Sequence, residues 1–372
     1  MVGAIASKTV QVHLNRRCNL ACAHCYSASG PRESEALAAP ALIHFLEEAA
    51  QQGYGVVAFS GGEPFLYPDF VPVLEAAKSL GLRRLAVTNG TVLTERRASA
   101  LALLDLVAVS VDGREAVHNG LRRSPTAFSR MLKGLEVVRR AGLPFGIAHT
   151  VTRDSLADLP WMAEFAAEQG ANILQLHPLG MVGAATDMVG PVGDEQASAA
   201  LDGEILARTW LTARALQADY GDRLAIHVDL FNRATLAARP ELVVPGDGGG
   251  DGDPLLSDIL NPLVLMSNGD LSPICHAMGP SFRLGRIDAE PLSQMARRFR
   301  ETILGDLRTL CQDLWREVVA DTDGWPYLNW YELLETRAQT GGPVAAPVTR
   351  RARVSRVPIP RDRRRPSPQP AV

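Results

Sequence analysis

The sequence predicts an α/β protein, a partial (β/α)6 TIM-like barrel with a small α+β C-terminal extension. Three observations carry this. Short β-branched runs alternate six times with longer stretches of helical period, the repeat is roughly 30 residues long, and the positions that follow each run are polar where the run itself is apolar. Alternation of this kind implies a parallel sheet with helices outside it.

The first strand is expected at residues 9–15 and the first helix at 40–52. Strand 55–60 is followed by helix 70–80, strand 84–88 by helix 94–104, and strand 106–111 by helix 126–141. Strand 145–151 then leads to helix 156–169, and strand 172–177 to helix 194–220. In the helical stretches Ala, Leu and Glu recur at three- and four-residue spacing, which keeps one face apolar. After residue 220 the pattern changes. Residues 224–229 read as one more strand, and the Gly/Asp-rich stretch 245–254 as a boundary or mobile lid. Residues 262–267 and 271–275, joined by Asn268-Gly269-Asp270, read as a β-hairpin. A strand at 282–287 and helices at 291–304 and 307–320 complete the extension. The expected organisation is a core at 1–222, an extension at 223–340, and a disordered Arg/Pro-rich tail at 341–372.

Parallel strands joined by right-handed crossovers place their carboxyl ends on one rim, where ligands bind. The six ends carry Asn15; Ser60-Gly61-Gly62-Glu63-Pro64; Thr88-Asn89-Gly90; Ser110-Val111-Asp112-Gly113; His149-Thr150-Val151-Thr152; and Gln175-Leu176-His177-Pro178. Ser110 and Asp112 sit two apart, so both side chains are expected on the inner side of their strand. His177, before Pro178, reads equally as a strand cap or as a site residue.

On the first of these ends lie three of the five cysteines, Cys18, Cys22 and Cys25, spaced C-x3-C-x2-C. The next cysteine is Cys275. Three clustered thiolates mark a soft-metal site. A cubane iron–sulfur cluster normally takes four cysteines, so three would leave one iron open to a ligand that is not protein. A structural zinc site, with His13 or His24 as fourth ligand, is the alternative, although no second cysteine pair follows as zinc knuckles usually require.

The segment Leu14-Asn15-Arg16-Arg17-Cys18-Asn19-Leu20-Ala21-Cys22-Ala23-His24-Cys25-Tyr26 resembles the signature of the radical S-adenosylmethionine (radical SAM) enzymes. That resemblance implies a 4Fe–4S cluster on Cys18, Cys22 and Cys25, with S-adenosylmethionine chelated at the open iron. Gly61, Gly62, Glu63 and Pro64 resemble the family's element that holds the cofactor's ammonium, with Ser60 just before it. Gly62→Val is therefore expected to spare the cluster and block the cofactor, because backbone must approach there. Asn89, Ser110, Asp112, Thr150 and His177 match in order the polar positions that contact ribose and methionine. His24 stands where the family usually has an aromatic residue beside adenine, with Tyr26 just past the cluster.

Residues 268–275 and 284–287 are similar to the start of the SPASM and twitch extensions, whose cysteines hold auxiliary clusters. Here only Cys275 and Cys311 are present, too few for such a cluster, so the resemblance implies a degenerate extension that covers the barrel mouth. Cys275 reads as a buried structural thiol or as a catalytic hydrogen-atom donor or acceptor. The implied chemistry is one-electron cleavage of S-adenosylmethionine to methionine and a 5′-deoxyadenosyl radical, which takes a hydrogen atom from substrate. The expected substrate is a ribosomally synthesised peptide. A sugar, amino acid or tetrapyrrole is the alternative, and a non-catalytic zinc scaffold or an interaction protein acting through the tail are the others. Expected partners are an electron donor such as flavodoxin or ferredoxin and a separate leader-peptide-binding protein, since the first strand begins near residue 9.

Composition sets the outer bounds. The 372 residues are 46% hydrophobic, enough for a substantial core. Residues 350–372 carry a net charge of +7, leaving −10 on the rest. An acidic body argues against a nucleic-acid enzyme. Apolar runs break well before the ~18 residues of a membrane span. No export signal is evident and the cysteines are not spread as a disulfide framework, so a cytoplasmic location is expected.

Overall fold

The computed structural model describes residues 8–188, 201–247 and 254–340. The expected tail, the first part of the expected helix 194–220 and the middle of the 245–254 loop lie outside the described residues.

Seven parallel strands form the body of one sheet: β1 (Thr9–His13), β2 (Val56–Ser60), β3 (Arg83–Thr88), β4 (Leu106–Ser110), β5 (Phe145–Val151), β6 (Ile173–Pro178) and β7 (Ala225–Val228), each paired with the next in chain order. A two-residue strand, β8 (Phe231–Asn232), leaves this sheet. On the free side of β1 the chain returns as β9 (Leu263–Leu265), parallel to β1, and then as β10 (Asp270–Pro273) and β11 (Gly285–Arg286), both antiparallel to their neighbours. The result is a ten-stranded open sheet with β1 in its interior. A last strand, β12 (Tyr327–Leu328), pairs with β8.

The helices alternate with the strands as their apolar spacing requires. They are α1 (Ala39–Gln51), α2 (Phe70–Ser79), α3 (Ala98–Leu101), α4 (Glu115–Leu121), α5 (Ala127–Arg140), α6 (Leu159–Gln169) and α7 (Gly203–Tyr220). In α5 the buried residues Ala127, Met131, Gly134, Leu135 and Val138 fall at three- and four-residue intervals and face the sheet. Helix α6 stops at Gly170, whose φ of 81° is the left-handed conformation that ends helices. Helix α7 starts at Asp202, whose carboxylate accepts the Ile205 N–H at 2.9 Å.

The remaining helices are α8 (Arg233–Ala238), α9 (Leu256–Ile259), α10 (Leu292–Thr302), α11 (Leu304–Ala320) and α12 (Trp330–Thr340). Three differences from the sequence expectation stand out. The expected strand 282–287 shrinks to Gly285–Arg286, because Pro280–Phe282 forms a 3-10 turn. Helix 94–104 is a 3-10 turn followed by a single α turn, and α4 and α12 were not foreseen at all.

Candidate functional site

The cysteine loop leaves β1 at His13 and is pinned from within and from the rim. Inside it, Cys18 N–H bonds Gly30 O at 3.1 Å, Gly30 N–H bonds Arg16 O at 3.1 Å, and the Arg16 guanidinium bonds Ala28 O at 2.8 Å. From the rim, Gly62 N–H bonds Asn15 O at 2.6 Å and Glu63 N–H bonds Arg17 O at 2.9 Å. The loop's own amide at Ala23 bonds Leu121 O, the last residue of α4, at 2.8 Å. Ala184 N–H, in the turn after β6, bonds Cys25 O at 2.8 Å. Three separate rim segments therefore fix where the cysteines sit.

All three thiols are free. Cys18 Sγ accepts from Leu20 N–H at 3.5 Å and from Asn89 Nδ2 at 3.6 Å, while Cys25 Sγ accepts from Ser29 N–H at 3.4 Å. Burial pushes the Cys18 thiol up to about 12 and also raises Cys22, where the Arg122 guanidinium works in the opposite direction. Thiols held protonated by desolvation become thiolates when a metal supplies compensating charge.

Glu63 is fully buried, and its carboxylate accepts from Thr88 Oγ1 at 2.8 Å, Asn89 N–H at 2.9 Å and Phe65 N–H at 3.2 Å. It braces the end of β2 against the end of β3. Pro64 is buried and begins the turn that follows. A Cβ on Gly61 would lie 2.6 Å from Asn15 O, and one on Gly62 would lie 2.2 Å from Arg17 O. These glycines admit the cysteine loop itself, so Gly62→Val would displace that loop. The expectation that the substitution spares the cluster is corrected on this ground.

Asp112 is buried past the end of β4, where strand alternation no longer sets its direction. Its Oδ2 accepts from Arg122 Nε at 2.6 Å and lies 3.4 Å from His24 Nε2. Burial opposes its charge, but Arg122 and His24 hold the carboxyl well below the usual range. His24 is thus engaged edge-on with a carboxylate. Ser110 is half-buried, and Thr150 stands opposite His177 in the β5–β6 register. His177 Nδ1 meets Asp229 Oδ2 at 2.5 Å on an exposed part of the rim; partial desolvation works against its charge, and the Asp229 carboxylate outweighs that and raises it.

Tyr26 reaches Ser60 and the Gly61 backbone with its hydroxyl, and its ring packs on His13 at 5.3 Å and on His276 at 5.0 Å. His276 comes from the C-terminal region, so that region does reach the cysteine loop. Its segment follows Ile274, a β-branched residue held at φ 65°, a strained conformation. Cys275 is buried; desolvation and then the neighbouring Glu335 carboxylate raise its thiol well above the ordinary value. Glu335 also accepts Ala277 N–H at 3.2 Å, and its helix, α12, contributes Glu332, pushed up to about 7 by burial and by Glu335. Cys311 is buried on α11.

Among the described residues no three His, Cys, Asp or Glu side chains converge as a single-ion site requires. Several buried polar atoms beside the cysteine loop nevertheless lack any protein partner: both amide atoms of Asn15, Nδ1 of His24 and Oδ1 of Asp112. Orphaned polar groups next to three free thiols fit a bound group that the chain holds in addition to itself. Asn15, Arg122, His118, His149 and His276 are the neighbours that sequence reasoning did not single out. Asn15 and His149 carried a signal, as polar strand ends.

The fold is a largely parallel α/β sheet that carries a loop with three cysteines on the rim of its first strand. Residues 12–166 match the Radical SAM superfamily. The chain carries a radical SAM domain over those residues, and proteins with that domain use a 4Fe–4S cluster and S-adenosylmethionine. It is 35% identical over 198 residues to the AdoMet-dependent heme synthase of Methanosarcina barkeri, covering 51% of this chain and 56% of that protein. It is 30% identical over 230 residues to the mycofactocin maturase MftC of Mycolicibacterium smegmatis, covering 60% of this chain and 55% of that one. The chain thus spans about half the length of the curated relatives it matches. In fold it resembles Streptococcus suis SuiB bound to precursor peptide SuiA, with a TM-score of 0.62 at 18% identity, over 81% of this chain and 66% of that one. Among the described residues no helix is long and apolar enough to cross a membrane.

Proposed function

We propose that Cys18, Cys22 and Cys25 ligate three irons of the 4Fe–4S cluster, and that the chain uses radical chemistry to modify a ribosomally synthesised peptide. The observation that carries the first part is the set of three free thiols on one loop, pinned from three sides of the rim inside a radical SAM domain. When bound, the cluster and S-adenosylmethionine supply reductive cleavage and hydrogen-atom abstraction. This chain's residues then have defined tasks. Glu63 fixes the Gly61-Gly62 turn against β3, Asn89 donates to Cys18, and Tyr26 closes the loop against Ser60. Ser60, Asn89, Ser110, Thr150 and His177 line the strand ends as contacts for S-adenosylmethionine, while Gly61 and Gly62 make room for the cysteine loop. Asp112 and His24 stand behind the loop, and Glu63 and Pro64 shape the turn.

The peptide reading is supported by the likeness to the PqqA peptide cyclase of Gluconobacter oxydans, 31% identical over 44% of this chain, and by the C-terminal segment that reaches Tyr26. Asp229, Glu332 and Glu335, the carboxylates on this side, suit amide and ammonium groups better than an anionic substrate. The second reading, a tetrapyrrole substrate, is favoured by the heme synthase likeness at 35% identity. A reduced flavodoxin or ferredoxin is the proposed electron donor, a separate leader-peptide-binding protein a proposed partner, and the cytoplasm the proposed setting. Anaerobic reconstitution with iron and sulfide, followed by dithionite and S-adenosylmethionine, is expected to release 5′-deoxyadenosine; no release in iron-loaded protein sinks the reading. Co-expression with small peptides encoded beside it should change the mass of one of them. An unchanged peptide pool with turnover of an added tetrapyrrole would move the assignment to the second reading.

A further inference from the structure

A buried charge beside the cysteine loop comes from the end of α4, a helix absent from the sequence expectation. Arg122 follows the last residue of α4 and is 7% exposed. Its Nε donates to Asp112 Oδ2 at 2.6 Å, and its guanidinium stands beside Cys22 and near Cys18. The placement is fixed by backbone on both sides. Leu121 O holds Ala23 N–H at 2.8 Å, and Asp112 N–H bonds His118 Nδ1 at 3.2 Å, so α4 ties the end of β4 to the cysteine loop. Asp112 pairs with the cation, while the neighbouring Arg123 is exposed.

We propose that Arg122 sets the reduction potential of the bound cluster, its guanidinium lying on the Cys22 sulfur and held there by Asp112. This rests on the assignment of Cys22 as a cluster ligand. The physical argument is direct. A reduced cluster carries one more negative charge than an oxidised one, and a buried, permanently protonated guanidinium beside a ligand sulfur favours that state. Hydrogen bonds to ligating sulfurs and nearby charge are the protein's means of tuning such sites. The net effect raises the potential and eases delivery of the first electron.

The test is a redox titration followed by electron paramagnetic resonance on the full-length, anaerobically reconstituted protein, without substrate. Arg122→Gln is expected to make cluster reduction at least tenfold less favourable, a negative shift of about 59 mV or more for one electron. Arg122→Lys should recover most of the shift, because it keeps the charge. An iron-loaded Arg122→Gln protein with the unaltered protein's potential overturns the proposal. Should Arg122→Gln fail to load because Asp112 is left unpaired, the neutral pair Asp112→Asn with Arg122→Gln is read in its place. A negative shift there supports the proposal. An unchanged potential, or failure of this pair to load while Arg122→Lys loads, overturns it in favour of a purely structural clamp. If the unaltered protein shows no cluster signal, the cysteine assignment falls and takes this proposal with it.

Discussion

At the scale of single residues, three thiols and two glycines decide whether the site exists. Cys18→Ala, Cys22→Ala and Cys25→Ala are each expected to abolish iron retention and release of 5′-deoxyadenosine, because three ligands leave no spare; iron assay after desalting checks this. Gly62→Val is expected to fail in the same assay, since its Cβ would sit 2.2 Å from Arg17 O and push the loop away. Full iron content with lost S-adenosylmethionine binding would instead restore a direct cofactor contact. The cysteines were legible because their spacing has few other uses. The role of Arg122 was not, because nothing in Leu121-Arg122-Arg123 says which of two adjacent arginines turns inward. Burial separates them: Arg122 finds Asp112, while Arg123 adopts φ 49° and faces solvent.

At the scale of elements, strand-to-helix contacts set the rim. Helix α5 lies so close to the turn after β3 that a Cβ on Gly134 would come within 1.9 Å of Gly90 O. Gly134→Ala is expected to cost about 1–3 kcal/mol of stability by overpacking, read as a lower urea midpoint with unchanged slope. Strands β1 to β6 and helices α1, α2, α5 and α6 were legible because each shows a clean period over five or more residues. Helix α4, Glu-Ala-Val-His-Asn-Gly-Leu, has seven residues and a glycine inside, too short and too polar to announce itself. Its stability comes from contacts with Asp112 and with the cysteine loop, which no local pattern encodes. The strand β9 was expected within 262–267, but its pairing with the free edge of β1 was not, because no local pattern encodes a contact across some 250 residues.

At the scale of the whole molecule, five histidines share one electrostatic condition. Burial lowers His13 to about 3, with His276 adding to it, and lowers His118 to about 4; His24, His149 and His276 move the same way. A histidine with a depressed folded pKa stabilises fully above its unfolded value near 6.5 and loses that contribution as pH falls towards the folded value. Asp112, depressed as well, acts in the same sense at lower pH. The cluster-free protein is therefore expected to lose thermal stability steadily from about pH 6.5 downward, which a melting series from pH 8 to pH 4 checks. A flat profile across that range would contradict the buried, neutral histidines. The position of β1 carries a consequence for the order of assembly. Because β1 is flanked by β2 on one side and by β9, some 250 residues later, on the other, the strand that launches the cysteine loop keeps one ladder unfilled while most of the chain is being made. A ribosome must deliver residues 263–265 before that strand is enclosed, so loading of the proposed cluster is expected at the end of synthesis, and nascent chains stalled earlier should be poor acceptors of iron.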